Sequence, residues 1–345
     1  MQREQWIDVY RGIGIIMVVW GHVYGGYSFD LIFLFHMPLF FFISGYLFRP
    51  PPDYRDFIRR KAIQLLIPYA AFLLLFMIPQ ATNLLLHLPQ DSRAIIRFFK
   101  AFLLGGRALP TAETAFWFTT CFFTVLLMEA FLIRRCSRRV LLWLHAGMLA
   151  LSYLNNFVFP EFWLIGNANV ALAAAPFFYA GYLFHAALQS DFEVRRIYLW
   201  ATGAALFFMA VVIANHHFDG GLYLPYDMKV SHYGTPVLSF IAALACCISL
   251  LWIARRISAS YPRLSQALAG LGQAAIVILF LHQALSMAAA WLFGEDQFFI
   301  RFTVALLGSY WLYRQCRRWR WTRAFLLGSE KDFRGDPGTA TALQR

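Results

Sequence analysis

The feature that most limits what this chain can fold into is a series of long apolar runs. Of its 345 residues, 60% are hydrophobic, and the mean hydropathy is +0.56. A helix needs about 20 apolar residues to cross roughly 30 Å of hydrocarbon. The sequence therefore predicts an all-α, polytopic membrane protein of about ten transmembrane helices. The predicted spans are approximately 10–27, 31–48, 63–86, 116–133, 140–158, 168–187, 197–214, 236–253, 274–293 and 298–314.

The distribution of positive charge predicts the orientation of these helices. The chain has 30 Lys and Arg against 18 Asp and Glu, a formal net charge of +12. With a cytoplasmic N-terminus, 24 of the 30 basic residues fall in cytoplasmic segments, which is the positive-inside pattern of membrane proteins. We therefore expect both termini in the cytoplasm, contact between the basic segments and membrane lipids, and no nucleic-acid partner.

The chain is expected to form one membrane domain, residues 1–320, followed by a cytoplasmic tail, 321–345, that is partly disordered. The polar external segment 215–234 has the composition of loops that bind a ligand or cover a cavity. Five cysteines lie within spans or on the cytoplasmic side, and their spacing predicts neither a disulfide nor a metal site.

Two ionisable residues lie in the first span, RGIGIIMVVWGHVYGGYSF (11–29). Eleven residues advance a helix by three turns plus roughly 20°, so Arg11 and His22 share one face about 16 Å apart along the axis. Ionisable groups at membrane depth are costly and are functional candidates. Asp8 can pair with Arg11 and orient it, although both residues also fit an ordinary helix start. His22 equally fits a histidine that a neighbouring helix satisfies.

The second span, LFHMPLFFFISGYLF (34–48), adds a second histidine. The chain runs back across the membrane here, so His36 is expected near the depth of His22. Pro38 lacks a backbone N–H and should free a carbonyl near Leu34, where a cavity is tolerable. Ser44 and Gly45 permit close helix contact.

The stretches WIDVYRGIGIIMVVWGH and FHMPLFFFISGYLF resemble the acyltransferase 3 family of integral membrane acyltransferases, particularly its fucose 4-O-acetylase-like branch. An arginine, ten residues and a histidine in the first span are the hallmark of that family, and Arg11 and His22 match it. Many members carry two arginines three apart before the third-span sequence, where this chain has Lys61 and Gln64 before LLIPY (65–69). Because of this departure, the role of the family's arginine pair is uncertain in this chain and could belong to Arg59 or Arg60 instead. Further weak signatures are FW (116–117), PFFYAGYLF (176–184) and LGQAAIVILFLH (271–282).

The resemblance implies an O-acetyltransferase in the bacterial cytoplasmic (inner) membrane. It would move an acetyl group from cytoplasmic acetyl-CoA to a sugar hydroxyl of an exopolysaccharide, O-antigen or lipid-linked oligosaccharide, alongside other polysaccharide-assembly proteins. An imidazole with an ordinary pKa of about 6.5 suits a base or an acyl-carrying nucleophile. The expected catalytic residues are His22, His36 and Arg11; the expected donor-binding residues are Arg11, Arg59, Arg60 and Lys61; the expected acceptor-binding residues are Trp117 and His282. No metal is expected.

Two other functions remain open on the residues alone. Intramembrane histidines also form proton relays, so the chain could be a transporter or flippase of the same glycan. It could also be a structural subunit of a polysaccharide assembly, in which neither histidine matters.

Overall fold

A computed structural model describes residues 4–86, 92–109, 111–189, 194–218 and 220–334. Within these ranges the chain is helical apart from connecting segments and one isolated antiparallel bridge between Asp227 and His232. The α-helices of the described residues are α1 (Gln5–Tyr24), α2 (Gly26–Phe33), α3 (His36–Tyr46), α4 (Tyr54–Lys61), α5 (Ile67–Leu86), α6 (Ser92–Leu104), α7 (Trp117–Arg135), α8 (Arg138–Val158), α9 (Ala171–Leu188), α10 (Val194–His217), α11 (Leu238–Ser260), α12 (Pro262–Gln273), α13 (Ala275–Phe293), α14 (Phe298–Thr303), α15 (Ser309–Cys316), α16 (Arg320–Phe325) and α17 (Glu330–Arg334).

Shorter helical turns of other types join several of these helices. Residues Ala62–Leu66 form a π-helical turn between α4 and α5, and Val304–Gly308 form another between α14 and α15. The 3-10 turns are Gly106–Ala108, Thr111–Phe116 and Ile165–Val170.

Among the described residues, eight helical segments are long and apolar enough to cross a membrane, and they match the second to ninth predicted spans. The first and tenth predicted spans are also helical, as α1 and as α14 to α15, but they are more polar. Asp8 and Arg11 lower the hydropathy of α1, and Arg301 and Arg314 lower that of α14 and α15. The predicted all-α polytopic architecture is thus confirmed. The eight segments are Gly26–Tyr46, Tyr54–Thr82, Ala112–Arg135, Arg138–Val158, Ile165–Leu188, Arg195–His217, Leu238–Ser260 and Ala275–Phe293.

Glycines bring the central helices into backbone contact. A Cβ added at Gly12 of α1 would lie 2.0 Å from the carbonyl oxygen of Leu268 in α12. A Cβ at Gly45 of α3 would lie 1.7 Å from the carbonyl oxygen of Phe178 in α9. Small residues allow this approach in membranes, where helix association depends on close packing. The predicted packing role of Gly45 is confirmed.

The second predicted span is not one continuous helix. It breaks at Leu34 and Phe35, between α2 and α3. Pro38 lies in the first turn of α3, where no backbone N–H is needed. The carbonyl oxygen of Phe33 accepts a hydrogen bond of 2.9 Å from the backbone N–H of Tyr226. A carbonyl is therefore freed next to the predicted position, and Tyr226 of the polar segment 220–234 satisfies it.

The first part of the predicted tail is folded. In α16 and α17, Arg323 donates to both carboxylate oxygens of Asp332, at 3.0 and 2.6 Å. Gly328, with a φ of 63°, lies against the backbone of Gln64 in the first π-helical turn; a Cβ there would be 2.6 Å from the Gln64 carbonyl oxygen. Residues 335–345, to which the predicted disorder applies, lie outside the described residues.

Candidate active site

Three cavities follow one another along α1, α3 and α7. The histidine cavity, of about 190 Å³, is lined by side chains that include His22, His36, Trp117, Asp227 and Lys229. The middle cavity, of about 250 Å³, is lined by side chains that include Ile15, Phe40, Thr119 and Gln273. The basic cavity, of about 370 Å³, is lined by side chains that include Arg11, Arg49, Lys61 and Gln64.

Neighbouring cavities share walls. Met37 and Leu279 line both the histidine cavity and the middle cavity. The middle and basic cavities likewise share four residues, which are Arg11, Ser44, Leu65 and Phe122. The three cavities therefore form one row, which we call the passage.

The order of residues along α1 agrees with this row. Arg11 lines the basic and middle cavities, Ile15 lines the middle cavity, and His22 lines the histidine cavity. Because α1 is an unbroken helix over these positions, the axial separation of about 16 Å between Arg11 and His22 applies. The two residues thus face the same passage at different depths.

Three histidines meet at one end of the passage. The ring centroid of His22 lies 6.3 Å from that of His36 and 5.2 Å from that of His282. His36 and His282 are buried, with 2% and 0% of their surface exposed, and His22 is half-buried. The predicted convergence of His22 and His36 is confirmed. Within the described ranges, no three or more His, Cys, Asp and Glu side chains are arranged to hold a metal ion.

The hydrogen bonds of these histidines determine their neutral tautomer. Each Nδ1 lies 2.7 to 3.1 Å from the carbonyl oxygen four residues earlier, which is in the same helix for His22 and His282 and in α2 for His36. A carbonyl oxygen only accepts, so Nδ1 carries the proton and Nε2 keeps its lone pair. The Nε2 of His282 is buried without a hydrogen-bond partner among the described residues. The site therefore holds unprotonated ring nitrogens that can accept a proton or attack a carbonyl carbon.

Three consecutive residues of the polar segment 220–234 line the histidine cavity, namely Asp227, Met228 and Lys229. Lys229 donates from Nζ to the Thr114 hydroxyl and, at 3.5 Å, to the carbonyl oxygen of Leu109. Asn167 holds the backbone of Lys229 by donating to its carbonyl oxygen at 2.9 Å. Both side chains are partly withdrawn from water, and this burial raises the pKa of Asp227 and lowers that of Lys229.

The basic cavity lies at the other end of the passage. Arg11 forms an ion pair of 3.9 Å with the buried carboxylate of Asp8, which confirms the predicted pairing. Gln273 donates to the same carboxylate at 3.2 Å. Lys61 donates from Nζ to Oε1 of Gln64 at 3.0 Å. Arg11 and Lys61 thus line the same cavity, and contacts with Asp8 and Gln64 hold their side chains in place.

The structure brings together only part of the predicted donor-binding set. Arg11 and Lys61 line the basic cavity, whereas Arg59 is exposed on α4 and Arg60 forms an ion pair of 3.0 Å with Asp56. Arg49 lines the cavity instead, and sequence reasoning missed it. In the sequence, Arg49 is only a basic residue at the end of a predicted span, as many positive-inside residues are. Nothing in the sequence therefore distinguishes it as a cavity residue.

Both predicted acceptor-binding residues lie at the histidine end. Trp117 lines the histidine cavity, and His282 packs against His22. Lys229 and Asp227 line this cavity too, and they were not predicted individually. Their sequence signal was only the polar composition of the segment that carries them.

Comparison with known proteins identifies the family. A family model described as an acyltransferase domain, that of the acyltransferase 3 family, matches residues 4–314. The match includes every residue that lines the passage. The comparisons with curated proteins and with solved structures found no match. The chain belongs to the acyltransferase 3 family, and with its eight candidate spans it is a membrane acyltransferase.

Proposed function

We propose that this protein is an O-acetyltransferase of the bacterial inner membrane. It transfers an acetyl group from cytoplasmic acetyl-CoA to a sugar hydroxyl of a cell-surface polysaccharide or lipid-linked oligosaccharide. The observation that supports this most is the passage itself, with Arg11 and Lys61 at one end and three histidines at the other. That arrangement matches a ligand with a phosphorylated end and a distant thioester. The family resemblance to fucose 4-O-acetylases favours a sugar acceptor.

The basic cavity would hold the phosphates of the donor. A guanidinium binds phosphate through two hydrogen bonds, and an ammonium binds it as a point charge. Asp8 orients Arg11 for this contact. Arg59 and Arg60 lie outside the cavity, so they could contact only a part of the cofactor that stays outside it. From the basic cavity the thioester arm would cover about 16 Å to reach His22.

His22 is the residue we assign to the chemistry. Its Nε2 accepts the proton of the sugar hydroxyl while the hydroxyl oxygen attacks the thioester carbonyl carbon. The carbon–sulfur bond breaks, the acetyl ester forms, and the departing thiolate takes the proton from the imidazolium. In a two-step route, Nε2 of His22 first attacks the thioester carbonyl carbon, the carbon–sulfur bond breaks and the thiolate leaves. The sugar hydroxyl then attacks the acetyl carbon, the carbon–nitrogen bond breaks, and the hydroxyl proton passes through Nε2 to the thiolate. His36 lines the same cavity, and it can donate from Nε2 only when its ring is protonated.

The acceptor would enter the histidine cavity from outside the cell. The positive-inside pattern supports this orientation, with both termini and the basic cavity facing the cytoplasm. Trp117 offers an aromatic surface for the apolar face of a sugar ring, and Lys229 offers a donor for the oxyanion of the tetrahedral intermediate.

The test replaces His22 in the full chain and analyses the surface polysaccharide by NMR. We expect His22→Ala to remove the acetyl signals, as deletion of the gene does, while the protein remains inserted in normal amounts. His217→Ala is the matched control, because His217 is exposed and its ring meets that of Tyr27 edge-on, away from the passage. Unchanged acetylation in His22→Ala would exclude His22 from the reaction. Loss of polymer export in the deletion strain, rather than export of unacetylated polymer, would favour a transporter.

A further inference from the structure

The middle cavity contains a hydroxyl group that lacks a partner. Thr119 of α7 is 1% exposed and lines this cavity, and its Oγ1 makes no hydrogen bond within the described part of the chain. A buried hydroxyl without a partner is costly, and most buried polar groups in proteins are paired. An unpaired hydroxyl on a cavity wall therefore indicates a group that is bound there during function.

Other polar side chains on the same wall already have partners. Ser44 donates to the carbonyl oxygen of Phe40 at 2.7 Å, and Gln273 donates to Asp8 at 3.2 Å. On α7 itself, Thr124 donates to the carbonyl oxygen of Thr120 at 3.0 Å, which is the usual way a helix satisfies a threonine. Thr119 departs from that pattern, so its hydroxyl remains able both to donate and to accept.

The position of Thr119 along the passage indicates which group it meets. On α7, Trp117 lines the histidine cavity, Thr119 the middle cavity and Leu126 the basic cavity. Two residues of helix separate Thr119 from Trp117, a rise of about 3 Å. An arm whose thioester lies at His22 would therefore pass Thr119 with the atoms that follow the sulfur. In the arm of coenzyme A, two carbons follow the sulfur and then an amide.

On the basis of the proposed function, we propose that Thr119 binds the donor through the amide nearest the thioester. The hydroxyl of Thr119 forms a hydrogen bond with that amide and so fixes the thioester carbonyl beside Nε2 of His22. The rest of the middle cavity wall near Thr119 is mainly apolar, with Ile15, Phe40 and Phe118 among its residues, and suits the carbon chain of the arm. Thr119 thus sets the depth to which the donor enters.

The experiment compares Thr119→Val with Thr124→Val in the purified full chain. Valine keeps the branched shape and removes the hydroxyl in both variants, and Thr124 serves as the matched control on the same helix. The donors are acetyl-CoA and S-acetyl-N-acetylcysteamine, which keeps the nearest amide and lacks the second amide and all phosphates. The acceptor is surface polysaccharide from which acetyl esters have been removed with base.

We expect Thr119→Val to lower kcat/KM by about twofold to tenfold with both donors, the loss of one hydrogen bond. Thr124→Val should match the wild type, and Thr119→Ser, which keeps the hydroxyl, should recover most of the activity.

Either of two results with Thr119→Val, or a third with Thr119→Ser, would overturn the assignment while leaving the proposed function intact. One is wild-type kinetics of Thr119→Val with both donors. The other is an effect with acetyl-CoA alone, since the contact would then lie beyond the nearest amide. If Thr119→Ser is as impaired as Thr119→Val, the loss comes from packing, and the assignment also fails. Absence of transfer from acetyl-CoA by the wild-type protein would instead overturn the proposed function together with this inference.

Discussion

The ring of His22 on α1 lies 5.2 Å from the ring of His282 on α13, measured between centroids. In the neutral state, Nδ1 of each ring donates a hydrogen bond to a backbone carbonyl oxygen of its own helix. Neither ring therefore donates a hydrogen bond to the other. His282 is fully buried, while His22 is half-buried and lines the histidine cavity. The packing thus places a second imidazole, whose Nε2 has no hydrogen-bond partner among the described residues, beside the one that we assign to the reaction.

Replacement of His282 should slow transfer without weakening donor binding. We expect His282→Gln to lower kcat by at least about tenfold, because removal of an imidazole that supports acid–base catalysis has effects of this size or larger. The KM for acetyl-CoA should stay unchanged, since the phosphates bind at the other end of the passage. Steady-state kinetics and the pH dependence of kcat would measure both effects. A variant with the wild-type kcat and pH profile would show that His282 only fills space.

Replacement of Arg11 should have the opposite kinetic signature. We expect Arg11→Gln to raise the KM for acetyl-CoA by roughly tenfold or more, because a hydrogen bond to a charged group contributes about 1.5–3 kcal/mol. Arg59→Gln is the matched control, since Arg59 is exposed outside the basic cavity. Equal KM values in the two variants would contradict a special role for Arg11 in donor binding.

A methyl group at Gly12 should destabilise the fold. The Cβ of Gly12→Ala would fall 2.0 Å from the carbonyl oxygen of Leu268, so α1 and α12 must separate. Overpacking of this kind costs about 1–3 kcal/mol, and we expect a lower melting temperature in detergent. Gly203→Ala is the control, because a Cβ at Gly203 meets nothing within 4 Å and alanine favours the helix. Equal melting temperatures would argue against direct backbone contact.

Acid should release the helices α16 and α17. Hydrogen bonds from Arg323 lower the pKa of Asp332, so the ionised carboxylate stabilises the folded state. This stabilisation is present above the pKa of an unfolded aspartate, about 3.9, and is lost as the pH falls through the lower folded pKa. We expect faster hydrogen exchange in residues 320–334 below about pH 3.9, after correction for intrinsic rates. Asp332→Asn should show the faster exchange already at neutral pH, and protection equal to that of the wild type would refute this.

Several parts of the site follow from local periodicity. A continuous helix through α1 places Arg11 and His22 on one face whatever surrounds them, and Asp8 is one turn from Arg11. The spans follow from run length, because a backbone in hydrocarbon must satisfy its own hydrogen bonds within helices. These features depend on residues near one another in the chain, so one sequence is enough to predict them.

Other parts depended on contacts between distant segments. Next to the helix break at Leu34 and Phe35, the carbonyl oxygen of Phe33 accepts a hydrogen bond from the backbone N–H of Tyr226. No pattern within the second span could indicate that partner. Exposure of Arg59 on α4 and the presence of Arg49 in the basic cavity follow from how these segments pack around the passage. The missing partner of Thr119 was equally invisible, because threonine in a membrane helix normally binds its own backbone.

The sequence by itself determined that the chain is a bundle of membrane helices, and it put an arginine and a histidine on one face of the first helix. Only the tertiary structure decided that these two line a common passage, that His282 joins His22 and His36, and which basic residues share the cavity of Arg11. The physical reason is that helix geometry fixes the face and depth of a side chain, whereas close packing at residues such as Gly12 and Gly45 fixes which helix that face meets.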